Sequence, residues 1–134
     1  MPPTEAEIRA YFDKMPVVAY VVTEDWKIVA VTDRLLDEIG RPRDAVVGAD
    51  VFETFPDNPA DPNADGTAVM RASLKRAFTS GQSEKLPRQR YDAPPAVEGG
   101  EFRERYWYPE NVPITDSAGR VTAVLHVVVA AHSS

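Results

Sequence analysis

Residues 121–129 run Val-Thr-Ala-Val-Leu-His-Val-Val-Val, apolar at almost every position and dominated by β-branched side chains. Such a run predicts a strand in the middle of a sheet with one face covered. A second apolar stretch precedes it, aromatic and mixed, with Tyr106, Trp107, Tyr108, Val112 and Ile114. Between the two, Asp116-Ser117-Ala118-Gly119 has turn chemistry: Asp and Ser start the turn, and Gly119 can take the positive φ of a bulged hairpin loop. The pair predicts a long β-hairpin near the C-terminus. The remaining chain must supply the cover for one of its faces.

The N-terminal pattern is helical. Thr4 to Glu7 has the form of a capping box, and Ile8, Tyr11, Phe12 and Met15 follow at i, i+3, i+4 and i+7, with Pro16 as the stop. The favoured reading packs this stripe on its own domain; the alternative presents Ile8, Tyr11, Phe12 and Met15 to a second copy or partner. Residues 17–23 and 26–32 are β-branched and read as a hairpin turned at Glu24-Asp25. Asp33 and Asp50 then read as caps of short helices, the first carrying Leu35, Leu36 and Ile39 inward and stopped by Gly40, the second turning Phe52 and Phe55 inward. Asp65 reads as the cap of a longer helix over residues 66–80, with Met70, Leu74, Ala77 and Phe78 as its buried stripe and Gly81 closing it. Residues 84–92 read as a polar edge strand, where Pro87 is tolerated, and residues 93–100 as a flexible loop.

Size allows one domain: 134 residues, 43% hydrophobic and 27% charged, are the proportions of an ordinary globule. A net charge of −6 speaks against general nucleic-acid binding, which relies on a basic surface. The start of the chain lacks the pattern of a secretory signal, and the longest apolar run is interrupted by His126 and too short for a membrane helix, so the protein is read as cytoplasmic. There is no cysteine, which removes disulfides, thiolate metal sites and any cysteinyl–flavin adduct. Asp61-x-Asn63-x-Asp65-Gly66 matches the first half of an EF-hand loop, but the twelfth position, where a bidentate Glu belongs, is Ala72; calcium is set aside and no metal site is assigned.

Two strands, a helical connector and three strands ending in an aromatic-to-aliphatic hairpin are the plan of the PAS fold. At residue level, Phe55-Pro56-Asp57-Asn58-Pro59, the block Glu104-Arg105-Tyr106-Trp107 with Asn111 and Pro113, and Asp116-x-x-Gly119-x-Val121 resemble a group of PAS domains of bacterial sensor histidine kinases, over roughly residues 8–130. The resemblance implies an α+β fold: a five-stranded antiparallel sheet, short helices on one face, an N-terminal helix and a small internal pocket. On this plan residues 1–15 form a capping or dimerisation helix, 16–131 the PAS domain and 132–134 a tail that includes His132. Two departures stand out. Thr32 stands where many PAS domains have Asn at the end of the second strand, and the last strand lacks the Asp-Ile/Val-Thr ending that relays a signal to an attached effector. Output is therefore expected through a non-covalent partner.

The implied function is a non-catalytic sensory and protein-interaction module of two-component signalling, working as a homodimer with a partner such as a histidine kinase. Pocket candidates are His126, Trp107, Tyr106 and Asn111 from the hairpin and Met70, Leu74 and Phe78 from the long helix. Alternation leaves the face of His126 open, and an exposed or satisfied polar residue is the favoured reading. The aromatic residues suit a small-molecule pocket and a packed core equally. Haem is not expected, because residues 66–80 contain no His; the cofactor, if any, is unassigned. Arg88, Arg90, Arg103 and Arg105 would make an anion site if they converged, but the interleaved Glu84, Asp92, Glu101 and Glu104 favour a solvated charge ladder. Two other functions stand as alternatives: a ligand-free scaffold, and a small cone-shaped isomerase. The isomerase needs a buried acid and an oxyanion donor, and the acids here fall at caps, turns and edges.

Overall fold

Thr4 opens the first helix, α1 (Glu5–Asp13), in a reciprocal cap: its hydroxyl accepts from the Glu7 N–H at 3.1 Å, and the Glu7 carboxylate accepts from the Thr4 N–H. The structure, a computed structural model, describes residues 2–130, so His132 and the expected tail lie outside the described residues. No residue of α1 is buried. The packing of its apolar stripe on the domain is limited to Phe12, which is half-buried, while Ile8, Tyr11 and Met15 are exposed.

Strands β1 (Val18–Val22) and β2 (Ile28–Val31) form the first hairpin. The second strand starts two residues later than its β-branched pattern suggests. Trp26 belongs to the turn, with φ 66° and its N–H donating to the Thr23 carbonyl, and its ring folds onto Phe52 and Phe78. The connector then forms α2 (Asp33–Ile39), α3 (Arg43–Val46) and α4 (Val51–Thr54). Thr32, not Asp33, caps α2: its hydroxyl oxygen accepts from the Leu35 N–H while its proton goes to the Val17 carbonyl at 2.7 Å. Asp33 is free to hold Lys14 and Arg43, at 2.7 and 2.6 Å. Asp50 caps α4 as expected, accepting from the Phe52 and Glu53 N–H groups.

The long helix is α5 (Gly66–Ser80). Asp65 occupies its N-cap position but makes no side-chain cap bond, because its carboxylate accepts from Gln89 instead. Asp57 takes the capping role from eight residues upstream of that position, receiving the Thr67 N–H at 3.0 Å and the Thr67 hydroxyl at 2.6 Å. Beyond α5 come β3 (Glu84–Lys85), β4 (Gln89–Arg90), β5 (Tyr106–Thr115) and β6 (Val121–Ala130). The expected edge strand over 84–92 is thus broken in two around Pro87, which has no N–H to give to the ladder.

Six strands occupy five places in one antiparallel sheet, ordered β2-β1-β6-β5-β3, with β4 also pairing β5. Helix α2 lies against β1, and α5 against β5 and β6. The core between them includes Val22, Ile28, Val46, Leu74 and Val124, all at or below the limit of measurable exposure; each such side chain contributes about 1.5–3 kcal/mol by leaving water. Tyr108, Ile114 and Val129 on the hairpin remain exposed. The segment after β4 is not the free loop its composition suggests. Asp92, Ala93 and Pro94 are buried, Ala93 and Arg103 exchange backbone hydrogen bonds, and Arg41 donates to the Pro95 carbonyl at 3.1 Å.

Candidate functional site

Tyr20, His126 and Asn111 form one row across β1, β6 and β5, because Tyr20 pairs His126 and His126 pairs Asn111 in register. Directly opposed residues share a face of the sheet, and here that face looks toward the helices. Between this row and α2, the end of α4 and α5 lies a cavity lined by Tyr20, Ile39, Phe55, Met70, Trp107 and His126, among others. Its volume is about 70 Å³, which limits any occupant to a small molecule. Phe55 stacks on Tyr20 at 5.7 Å between centroids, and Tyr20 on His126 at 4.5 Å. Trp107 is held by its Nε1–H donating to the Tyr91 carbonyl at 2.9 Å, and the Tyr91 hydroxyl donates in turn to the Phe55 carbonyl. Gly66 lets α5 start flush against the Tyr91 ring, where a Cβ would stand 2.8 Å from it.

A polar chain leads out from the cavity wall. His126 Nδ1 lies 2.7 Å from Asn111 Oδ1, Asn111 Nδ2 donates to Ser73 Oγ at 2.8 Å, and Ser73 Oγ donates to Glu84 Oε1 at 2.6 Å. Arg76 also donates to Glu84 Oε1, at 2.9 Å. The Arg76 and Ser73 hydrogen bonds hold the Glu84 carboxyl below the usual range. His126 is 6% exposed, and burial lowers its pKa from 6.5 to about 3, so the imidazole is neutral at physiological pH. Burial likewise pushes the Tyr20 hydroxyl well above its ordinary value.

The mouth is charged but internally paired. Asp92, buried, accepts from Arg90 through both oxygens at 3.0 Å, from Asn58 at 2.9 Å and from the Arg105 N–H at 3.2 Å. Burial alone would raise its pKa; the Arg90, Asn58 and backbone hydrogen bonds outweigh this and lower it. Arg105 binds Glu38 at 2.6 Å, Arg103 donates to the Glu38 carbonyl, and Arg88 lies over the Tyr106 ring. The four arginines therefore do not converge on an anion site. Asp61, from the half EF-hand pattern, faces Arg90 at 3.5 Å.

The pocket candidates from sequence divide into three groups. His126, Trp107 and Met70 are on the cavity wall. Asn111 stands behind His126 as its hydrogen-bond partner. Leu74, Phe78 and Tyr106 do not line the cavity. Leu74 lies one turn beyond Met70 and is sealed in the core, Phe78 lies farther along α5 against Trp26, and alternation along β5 turns Tyr106 away from Trp107, with its hydroxyl on Glu104. Of the two limbs of the favoured reading, exposed or satisfied polar residue, the first does not hold: His126 is buried, with one nitrogen bonded to Asn111 and a place on the wall. Residues missed by pattern reading include Tyr20, Tyr91, Asp92 and Ser73, while Phe55, read as turned inward, lines the cavity. Ser73 follows Met70 by three residues and so shares its helix face, which was a usable signal. Tyr20, a polar-tipped aromatic in an otherwise aliphatic strand, was another.

No family model matches the chain, and no curated protein does. Solved structures do. A PAS domain from Colwellia psychrerythraea aligns over 98% of this chain and 100% of its own, with a TM-score of 0.69 at 14% identity. The fold is a PAS fold. The PAS domain of Bordetella pertussis BvgS aligns over 96% and 85% at TM-score 0.57 and 20% identity, and a sensory box sensor histidine kinase from Vibrio cholerae over 95% and 88% at 0.60 and 15%. VqmA bound to DPO is also similar, at TM-score 0.65 and 19% identity, the alignment covering 94% of this chain and 57% of that one. At these identities the likeness carries the PAS architecture and leaves the pocket chemistry to this chain's own residues.

Proposed function

We propose that the chain is a non-catalytic sensory module of bacterial signal transduction that binds a small molecule in the cavity beside His126. Its binding state acts on a cytoplasmic signalling partner such as a histidine kinase. The observation that carries this reading is a neutral, buried imidazole set in an otherwise largely apolar wall, with Nε2 making no hydrogen bond among the described residues. Apolar walls with one or two placed polar groups are what small-molecule sites are made of. The sensor kinase and BvgS neighbours, and VqmA with its bound DPO, add support from the fold side.

The exposed stripe Ile8, Tyr11 and Met15, together with half-buried Phe12, serves as the dimer or partner surface in this reading. Residues 1–15 are then the interaction helix and 16–131 the sensing domain. The isomerase alternative asks for a buried acid beside a tyrosine hydroxyl. Asp92 is buried next to Tyr91, but its oxygens are taken by Arg90, Asn58 and the Arg105 N–H, and the Tyr91 hydroxyl is committed to Phe55. That arrangement argues for the non-catalytic reading.

A thermal-shift screen of small ring compounds tests it, since a ligand bound only by the folded chain raises Tm. Hits are expected, and they should vanish in Val128→Trp, which fills the cavity from β6. Silence across a broad screen would leave the ligand-free scaffold in its place.

A further inference from the structure

The direction of every hydrogen bond in the chain behind His126 can be deduced from its outer end. Glu84 sits on the edge strand with its side chain about one-third exposed and Arg76 2.9 Å away, so it is ionised and can only accept. Ser73 has one hydroxyl proton, and the 2.6 Å contact with Glu84 Oε1 claims it. Ser73 Oγ must therefore accept from Asn111, which puts the amide Nδ2 toward Ser73 and Oδ1 toward His126. The short contact at Oδ1 then requires the proton on His126 Nδ1. In a neutral imidazole this leaves Nε2 as a bare acceptor. Among the described residues, the only side-chain polar atoms both sealed from solvent and unpaired are Asp13 Oδ1 and Arg43 Nε. The unpaired Nε2 thus opens onto the space that His126 lines.

We propose that this relay from Glu84 to His126 makes the cavity selective for small, uncharged, mainly apolar molecules that offer one N–H or O–H donor. The inference rests on the cavity being a ligand site, as above, and adds the chemistry of its occupant. A molecule presenting only acceptors would set lone pair against lone pair at Nε2 and leave a buried polar atom unpaired. Selection by a missing hydrogen bond is steep because the site's own group is then stranded. Glu84 determines this choice without touching the ligand, through Ser73 and Asn111.

The test uses matched pairs of probes that differ in the donor alone: indole against benzofuran, pyrrole against furan, and phenol against anisole. Binding is followed by two-dimensional NMR on the whole chain. The donor member should bind about tenfold more tightly in each pair. In Glu84→Lys, whose ammonium can only donate to Ser73 and so forces the relay to invert, that preference should shrink while the residues lining the cavity are unchanged. His126→Phe should abolish it. Equal binding of both members to the parent chain, or an undiminished preference in Glu84→Lys, overturns the relay and leaves the pocket reading standing. Failure of every probe to bind overturns the pocket reading, and the selectivity with it. Imidazole ¹⁵N shifts give an independent answer needing no ligand: the Nδ1–H tautomer is expected, and an Nε2–H tautomer would overturn the proposal even in a chain that binds all six probes.

Discussion

Tyr20 and His126 face each other on adjacent strands with their rings stacked at 4.5 Å and 23°, which fixes the imidazole between an aromatic plane and the amide of Asn111. A charged ring there would lose its hydration and gain no anion in return. The neutral state is therefore built into the folded chain, and its consequences can be measured.

Acid should destabilise the protein through this group. The folded pKa of His126 is lowered to about 3 from the 6.5 of an unfolded histidine. Between those values the unfolded chain binds more protons, so stability rises with pH there and falls as pH drops below about 6.5. Carboxylates add their own slope only near and below their model values, 4.5 for Glu. Urea unfolding between about pH 4.5 and 6.5 should show a positive slope in the parent that is flatter in His126→Phe. Equal slopes would mean that the imidazole titrates normally.

Cutting the relay should be costly in proportion to what it strands. Asn111→Leu leaves His126 Nδ1–H without its partner, a buried unpaired group costing about 1–3 kcal/mol, and takes one donor from Ser73, which keeps Glu84. Ser73→Ala should cost less, since Glu84 keeps Arg76. A double-mutant cycle should return a coupling of about 0.5–3 kcal/mol. Additive losses would show that the two residues act separately.

Two left-handed glycines allow strain and collision to be separated. Gly40 ends α2 at φ 66°, and a Cβ there would stand 2.8 Å from the Ala96 Cβ. Gly119 turns the long hairpin at φ 83° with open space around it. Gly119→Ala should cost about 1 kcal/mol from backbone strain alone. Gly40→Ala should cost more, because residue 96 must also move. Equal changes in Tm would mean that the loop gives way freely.

The helix face supplies the assembly prediction. Ile8 and Tyr11 are 53% and 60% exposed, so Ile8→Glu and Tyr11→Glu should change stability by no more than about 0.5 kcal/mol. Sedimentation equilibrium should nonetheless show a dimer in the parent and a monomer in the double variant. A parent that stays monomeric at high concentration counts against α1 as a self-association surface.

The amino-acid pattern alone determined the elements with strong local causes. β-Branched runs made the strands, Gly119 with Asp116 made the turn, and the capping signals placed α1, α4 and α5 to within a residue or two. It determined less where two neighbours compete for one role: Thr32 displaces Asp33 as a cap, and Asp57 displaces Asp65, because a cap is made by whichever oxygen reaches the N–H groups once the chain has turned. The cavity was beyond its reach. The run 121–129 is apolar on both faces, so its alternation could not say which way His126 points. Tertiary structure decided that through register: β5 and β6 slip between Ile114 and Thr115, and this slip sets Asn111 opposite His126. A shift of one residue would turn the whole row to the other face. The relay then needs Ser73 from α5 and Glu84 from β3 to arrive at the same point, and contacts between distant segments exist only once the sheet and helix have packed.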